Sequence, residues 1–275
     1  MIKLIASDLD GTILRDAEHV DERAVALLKK YTAQGAVFVP ASGRAPSSIR
    51  TLFERAGLPT AYCIGINGAQ VEDYAGGVTH FMRPLPEATA RRAMEIMHAE
   101  GLHVCAYGRG MIAYSWEKAL EESRERSLFA AMRAYGTETI AGPGAMERVF
   151  QGPILKIFAE FTGADDHAAF VRAREACRAL EDVTITTSWI NNFEVMPLGV
   201  DKGAALCYLA QRLGVRREEI AAFGDGDNDL EMMDFAEYGV AMGNATPALI
   251  AAADTVTDDI NSDGLYNAFK KLGLI

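Results

Sequence analysis

Two aspartates one residue apart mark the end of the first apolar run of the sequence, which closes on Asp8-Leu9-Asp10-Gly11. A run rich in Ile and Leu is typical of a buried strand, so both carboxylates are predicted to lie where a strand ends. Alternation along the strand directs Asp8 and Asp10 to one side and Leu9 to the other. Two anions held this close repel each other, and a hard cation such as Mg2+, which prefers carboxylate oxygen, would compensate them.

A second acidic stretch, residues 224–229, follows the apolar run 220–223 near the other end of the chain. Because the strand ends of an open parallel sheet meet at one crevice, the two acidic stretches are predicted to lie together. Asp8, Asp10 and Asp225 would then share one Mg2+. The alternative is that both stretches are ordinary turns, since Asp, Asn and Gly are common turn residues.

The elements that must position these carboxylates alternate between helical and strand patterns. A helix is predicted over 21–31, followed by buried strands at 36–41 and 61–65. Each of these strands ends in a polar loop, Ser42-Gly43-Arg44 after the first and Asn67-Gly68 after the second. This pattern predicts an α/β fold with a doubly wound parallel sheet, whose strand ends carry the functional groups.

Prolines at 84 and 86 interrupt the pattern, and it resumes only around Pro197 with a helix that begins near Lys202. The intervening segment mixes helices and strands without an acidic strand-end loop, which favours an inserted α+β domain. We therefore predict a catalytic core made of residues 1–83 and 191–275 and an inserted domain over 84–190. The elements predicted between Pro86 and Pro197 are helices at 87–100, 116–135 and 165–180 and strands at 103–107, 154–159, 183–187 and 192–196, the last of which falls beyond the predicted boundary at 190.

Composition narrows the class of partner. The chain of 275 residues has a formal net charge of -11, which argues against nucleic acid and anionic membranes as ligands. Without an N-terminal targeting pattern or an apolar stretch approaching the roughly 18 residues that span a bilayer, a cytoplasmic protein is expected. The four scattered cysteines lack metal-site spacing, so reduced thiols are expected. A monomer and a small homo-oligomer both remain open.

Four motifs taken together resemble those of the haloacid dehalogenase (HAD) superfamily, in its Cof-type phosphatase branch. They are Asp8-Leu-Asp10-Gly-Thr12, Ser42-Gly-Arg44, Lys202-Gly203 and Gly224-Asp225-Gly-Asp-Asn228-Asp229. The resemblance covers both ends of the chain and is weak in the middle, where the caps of this family diverge. It implies a Rossmann-like core with an inserted α/β cap of type IIB over 84–190, because the gap between the second and third motifs is by far the longest.

The resemblance also implies roles for the matching residues. Asp8 would be the nucleophile that forms an aspartyl-phosphate, and Asp10 the acid that protonates the leaving oxygen and the base that activates water. Mg2+ would offset the repulsion between nucleophile and phosphate. The implied phosphate-binding groups are Ser42, Gly43, Lys202 and Asn228, the metal ligands Asp8, Asp10 and Asp225, the supporting residues Thr12 and Asp229, and the possible substrate-binding residues Arg44 and Asn67.

Several residues keep a plainer interpretation beside the functional one. Arg44 could form a surface ion pair and Asn67 a turn, while Asp227 is best explained as a solvated loop acid. Trp189, Asn191 and Asn192, near the return to the core, are candidate specificity residues, although packing of the tryptophan is the commoner case.

The function expected from these motifs is Mg2+-dependent hydrolysis of a small phosphorylated metabolite, such as a sugar phosphate or a phosphorylated cofactor. Two alternatives remain at this point. A phosphomutase of the phosphomannomutase type would share both aspartates but would return the phosphate to a bound intermediate. A non-catalytic metabolite-binding module could retain the fold, since fold does not guarantee activity.

Overall fold

The computed structural model describes residues 2–16, 18–123, 125–160, 167–188 and 192–274. The candidate specificity residues Trp189 and Asn191 lie outside these ranges, as does the predicted start of the helix at Asp165. The described strands are β1 (Leu4–Ser7), β2 (Val37–Pro40), β3 (Tyr62–Gly65), β4 (Gln70–Asp73), β5 (Val78–Met82), β6 (His103–Gly108), β7 (Met111–Tyr114), β8 (Glu138–Ala141), β9 (Ile154–Glu160), β10 (Val183–Thr186), β11 (Asn192–Pro197), β12 (Ile220–Gly224), β13 (Tyr238–Ala241) and β14 (Thr255–Val256).

The helices range from four to thirteen residues in length. None of those in the described part of the chain is long and apolar enough to cross a membrane. They are α1 (Glu22–Ala33), α2 (Pro46–Arg55), α3 (Glu87–Ala99), α4 (Ala119–Glu122), α5 (Phe129–Ala134), α6 (Ala145–Val149), α7 (His167–Arg178), α8 (Lys202–Leu213), α9 (Leu230–Phe235), α10 (Pro247–Ala252) and α11 (Gly264–Lys271).

The chain forms two compact units, and the first consists of Met1–Phe81 and Asp201–Ile275. Its central sheet has the strand order β14-β13-β12-β1-β2, and every pair is parallel. All residues of β1 and β12 are buried, as expected for central strands covered by helices on both faces. The predicted parallel α/β sheet is therefore confirmed.

The register of β1 against β12 brings the two acidic stretches side by side. Ser7 pairs with Phe223, and the next backbone N–H, that of Asp8, donates to the Phe223 carbonyl at 2.8 Å. Strands β1 and β12 both end at this point, so Asp8 and the loop after Gly224 start from adjacent positions. Parallel pairing, which always aligns carboxyl ends, is the physical reason for this proximity.

The other edge of the sheet continues from β2 into β3 through a parallel bridge between Ala41 and Ile64. The Ser42 N–H donates to the Ile64 carbonyl, and the Asn67 N–H donates to the Ser42 carbonyl. The polar loops after these two strands are thereby tied together. From β3 the chain turns into a small sheet of order β3-β4-β5, two of whose strands the sequence patterns did not predict.

The second unit, Met82–Val200, is built on a six-stranded sheet of order β10-β11-β9-β6-β7-β8. Apart from the parallel pair β7 and β8, its described pairs are antiparallel. Helices α3 and α7 pack on one face, where the Phe170 and Phe193 rings lie 5.2 Å apart. These packed elements form a core of their own, as expected for an α+β domain.

Two expectations for the second unit differ from the structure. Strand β11 pairs with β9 and β10, so the unit extends past the predicted boundary at 190. The helix expected over 116–135 is replaced by two short helices, α4 and α5, and the neighbouring strands β7 and β8 were not predicted. Four-residue apolar runs such as Met111–Tyr114 carry too little periodicity to separate helix from strand. The role of residues 84–190 as a cap stays a prediction.

Gly203 supplies a test of the close approach between α8 and α9. A β-carbon at this position would lie 2.3 Å from the Glu231 carbonyl oxygen, so a side chain requires one helix to shift. We expect Gly203→Ala to lower the free energy of unfolding by about 1–3 kcal/mol, despite the better helix propensity of alanine. The measurement is urea denaturation. In Gly152→Ala, the control, the nearest atom would be 3.9 Å away, and a Gly203→Ala variant as stable as this control would contradict the packing.

Candidate active site

A fully buried ammonium group lies at the centre of the polar loops. Lys202 is the first residue of α8, and the helix is capped by Asp201, whose carboxylate accepts the Ala204 N–H at 2.7 Å. The Lys202 Nζ lies 2.5 Å from Asp8 Oδ1 and 2.7 Å from Asp229 Oδ1. Burial alone would lower the pKa of Lys202, but attraction to Asp229 and Asp8 outweighs it and raises this pKa above its ordinary value.

A third carboxylate, that of Asp225, lies close to the two that contact this ammonium. Oxygens of Asp8, Asp225 and Asp229 all lie within 4.8 Å of one another. Burial, and then the charges of Asp229 and Asp225, raise the pKa of Asp8 well above its usual range, although Lys202 opposes the shift. Burial and the charge of Asp229 raise the pKa of Asp225 to about 7. When all three are ionised, their charge exceeds that of the one ammonium, and a divalent cation that prefers oxygen ligands fits this excess.

Asp229 is the member of this group with the least freedom to bind an ion. Its Oδ1 accepts from Lys202, and its Oδ2 accepts the backbone N–H groups of Asp225 and Gly226, both at 3.0 Å. These bonds hold the acidic loop in its turn and hold the ammonium in place. Asp8 and Asp225 are then the two candidate metal ligands of the group, and their ligand roles, like the supporting role of Asp229, stay predictions.

Asp225 is oriented by donors from two other loops. Thr12 Oγ1 donates to its Oδ1 at 3.0 Å, and Asn244 Nδ2 approaches its Oδ2 at 3.3 Å. A β-carbon on Gly11, whose φ is +87°, would lie 2.2 Å from Asp225 Oδ2, so glycine is required there. Thr12 was predicted to brace the loop through its hydroxyl, and Asp225 is the acceptor of that hydroxyl. Asn244 was not predicted from the sequence, and it lies in the polar turn after β13, at one more strand end of the same sheet.

Asp10 lies outside the group of three carboxylates. Its two oxygens accept from the Arg44 guanidinium, Oδ2 from Nε at 2.8 Å and Oδ1 from Nη2 at 2.6 Å. Arg44 is 7% exposed, so the surface ion pair considered above is instead a mostly buried, bidentate one. The metal-ligand role of Asp10 stays a prediction.

The remaining predicted residues line the neighbouring strand ends. Ser42 is buried, and its hydroxyl accepts the Arg44 N–H at 3.3 Å across Gly43. Asn228 Nδ2 donates to Asn67 Oδ1 at 3.1 Å, which joins the loops after β12 and β3. Asn67 has a left-handed backbone with φ +49°, a conformation that asparagine tolerates in turns. Phosphate binding by Ser42, Gly43 and Asn228 stays a prediction.

Asp227, the acid interpreted as a loop residue, is exposed and is not a member of the group of three carboxylates. Its Oδ1 accepts the Thr246 hydroxyl at 2.5 Å. This contact closes the turn before α10 and fits a structural role.

Comparisons with known proteins identify relatives over nearly the whole chain. A model of the haloacid dehalogenase-like hydrolases matches residues 5–269. Phosphatase YwpJ of Bacillus subtilis is 28% identical, with 98% of this chain and all of the relative aligned. The 5-amino-6-(5-phospho-D-ribitylamino)uracil phosphatase YitU of the same species is 26% identical over 98% of this chain and 96% of the relative.

Solved structures give the same result for the fold. A haloacid dehalogenase-like hydrolase from B. subtilis superposes with a TM-score of 0.82 at 26% identity, and both chains are fully covered. The HAD subclass IIB sugar phosphatase BT4131 has a TM-score of 0.81 at 22% identity, with 99% of this chain and 100% of that chain covered. At that identity the second likeness concerns the fold alone.

Asp225 provides a pH test of the carboxylate group in the metal-free protein. A pKa raised from 3.8 to about 7 means that the folded state binds this proton more tightly than the unfolded chain does. Stability therefore falls as pH rises from about 4 to about 7 and stays low above that range. We expect Asp225→Asn, which is neutral throughout, to raise the free energy of unfolding by about 1–3 kcal/mol at pH 8 and by much less at pH 4.

The measurement is urea denaturation in a chelator-containing buffer at the two pH values. Asp227→Asn is the control, because that carboxylate lies in an exposed turn outside the group. A gain for Asp225→Asn that is equal at both pH values would contradict the mutual repulsion of the buried carboxylates.

Proposed function

Because the chain belongs to the haloacid dehalogenase-like hydrolase family and its matched relatives are named phosphatases, we propose that it is a phosphatase of small phosphorylated metabolites. The proposed reaction depends on Mg2+ and passes through an aspartyl-phosphate. The observation that carries this proposal is the contact between the Lys202 ammonium and one oxygen of Asp8, at a strand end shared with Asp225. It supports Asp8 as the nucleophile, because one carboxylate oxygen is held by the ammonium at this strand end.

Asp8 suits nucleophilic attack for an electrostatic reason. In the proposed first step an Asp8 oxygen forms a bond to phosphorus while the bond from phosphorus to the ester oxygen breaks. Two anions meet in this step, and Lys202 supplies the positive charge that lowers the repulsion between them. The Ser42 hydroxyl and the Gly43 and Asn228 amide groups are proposed to hold the phosphoryl oxygens.

Asp10 is the proposed proton carrier. It would give a proton to the leaving ester oxygen, then take one from the water that attacks the aspartyl-phosphate, which releases inorganic phosphate and restores Asp8. Both Asp10 oxygens accept from Arg44, an arrangement suited to the base form. The acid form would need this pair to loosen, and the guanidinium would then be free to contact the substrate phosphate.

Asp8 and Asp225 are the residues proposed to hold Mg2+. When bound, the ion would supply positive charge that neutralises the phosphoryl group and the two carboxylates. The donor set supports this choice, because carboxylate oxygens close together in excess of one ammonium suit a hard divalent cation. Asp10, the third ligand predicted from the sequence, has both carboxylate oxygens on Arg44, so its carboxylate is assigned the proton transfer and is left out of the proposed metal site.

The proposed substrate class is a small phosphate monoester, either a sugar phosphate or a phosphorylated cofactor or cofactor precursor. Support comes from YitU and YcsE of B. subtilis, both named for a phosphoribitylamino-uracil substrate and both 26% identical to this chain. The chain has an excess of acidic residues, which would repel a polyanion. This excess favours a compact substrate, whose single phosphate can be bound by a local positive group.

Asp8→Asn tests the proposed nucleophile. The amide cannot form the aspartyl-phosphate, so we expect phosphate release from p-nitrophenyl phosphate to fall by about three orders of magnitude or more. The fold should be retained, because the substitution is isosteric and removes one of three repelling carboxylates. The control Asp227→Asn should keep a rate within about twofold of the parent. Turnover retained in Asp8→Asn would remove Asp8 as nucleophile.

The same assay, extended to sugar phosphates, nucleotides and phosphorylated ribitylamino-uracil, tests the substrate class. A phosphatase releases free phosphate from its preferred substrate, whereas a phosphomutase transfers the phosphate to another position of the same molecule. Strong preference for nucleic-acid ends or long polyanions would contradict the proposed class of small metabolites.

Removal of divalent ions tests the metal. We expect excess EDTA to reduce phosphate release to background and added Mg2+ to restore it, because Lys202 alone would then have to offset the charges of the carboxylates and of the substrate phosphate. Circular dichroism in EDTA controls for loss of fold. Full activity in excess chelator would disprove the Mg2+ role.

A further inference from the structure

The side chain of Asn244 links three loops that are far apart in the sequence. Its Nδ2 donates to the Gly11 carbonyl at 2.9 Å and approaches Asp225 Oδ2 at 3.3 Å. Its Oδ1 accepts the Ile260 N–H at 3.0 Å. One amide group thus contacts the loop after β1, the loop after β12 and the segment after β14.

These contacts define the orientation of the amide. A backbone carbonyl and a carboxylate require the donor end of the side chain, and a backbone N–H requires the acceptor end. A flipped amide would place donor against donor at Ile260 and acceptor against acceptor at Gly11 and Asp225. All three contacts agree on the same orientation, so the amide is held by hydrogen bonds although the residue is exposed.

The Asp225 carboxylate receives one donor on each oxygen. Thr12 serves Oδ1 and Asn244 serves Oδ2. Two donors on different loops restrict rotation of the carboxylate about its last side-chain bond, while each oxygen keeps a lone pair for another ligand. This restriction has a consequence for any ion held between Asp225 and Asp8, because a preoriented ligand loses less freedom on binding.

We propose that Asn244 is a positioning residue, which orients the Asp225 carboxylate toward Asp8 and fixes the spacing of the first acidic loop through the Gly11 carbonyl. The inference rests on the proposed metal site and extends it to a residue outside all four motifs. Asn244 does not contact the reacting atoms in this scheme, and it acts through Asp225.

The test uses Asn244→Ala and measures binding of Mn2+ alone by the electron paramagnetic resonance signal of the free ion, which requires no substrate or turnover. Removal of the exposed side chain leaves no core cavity, so the variant should fold. We expect the Mn2+ dissociation constant to rise about tenfold, the low end of the range for residues that orient metal ligands. Thr12→Val, which removes the other donor to Asp225, should weaken binding to a similar extent.

A matched control separates positioning from simple support of the loop around Ile260. Asn267 holds that same segment, since its Nδ2 donates to Asp258 Oδ2 and to the Ser262 carbonyl, both at 3.0 Å, but the structure gives it no bond to Gly11 or Asp225. We expect Asn267→Ala to change the Mn2+ dissociation constant less than twofold, whatever its effect on the melting temperature.

Three results would overturn the inference. Equal weakening in Asn244→Ala and Asn267→Ala would reduce Asn244 to a structural residue. Unchanged affinity in Asn244→Ala, with tight binding by the parent, would reject the positioning role and leave the metal site intact. Absence of Mn2+ binding by the parent protein would reject the metal site and the inference together.

Discussion

The buried ammonium of Lys202 is the interaction on which the rest of the site depends. A charged amine with no exposed surface would cost several kcal/mol if it were unpaired, so carboxylates must reach it. Asp8 arrives from β1 and Asp229 from the loop after β12, while the amine itself comes from the start of α8. The ion pairs therefore connect three separate parts of the chain, and the geometry of each loop is constrained by the need to satisfy one charge.

The same constraint gives Asp225 and Asp229 different contacts. The Asp229 oxygens accept hydrogen bonds from Lys202 and from two backbone N–H groups. Each Asp225 oxygen instead accepts from one side chain, Thr12 or Asn244. Two acids four residues apart in one loop thereby acquire different roles. A further division separates Asp8, which faces the ammonium, from Asp10, which faces the Arg44 guanidinium. Each acid is distinguished by its cationic or polar partner and not by its residue type.

The family and the phosphatase class follow from similarity over nearly the whole chain, which leaves the substrate to experiment. The described contacts add which side chains compensate which charges in the first unit. The second unit has its own sheet and its own apolar core, and its contribution to specificity stays a prediction.

Local patterns in the sequence determined the parallel sheet and the strand ends at which polar residues collect, because buried strands leave apolar runs and turns leave Gly, Asp and Asn. The strand ends also predicted that Asp8, Asp10 and Asp225 lie together, and the resemblance of the four motifs added Lys202 and Asp229; of these residues, only Asp10 lies outside the group around Lys202. Only the tertiary structure decided how the partners are shared. The pairing of Asp10 with Arg44 and the contact of Asn244 with Gly11, 233 residues apart, depend on long-range packing that no local periodicity records. Short strands such as β7, and the membership of β11 in the second unit, were decided in the same way, since strand pairing supplies what four to six residues cannot encode alone.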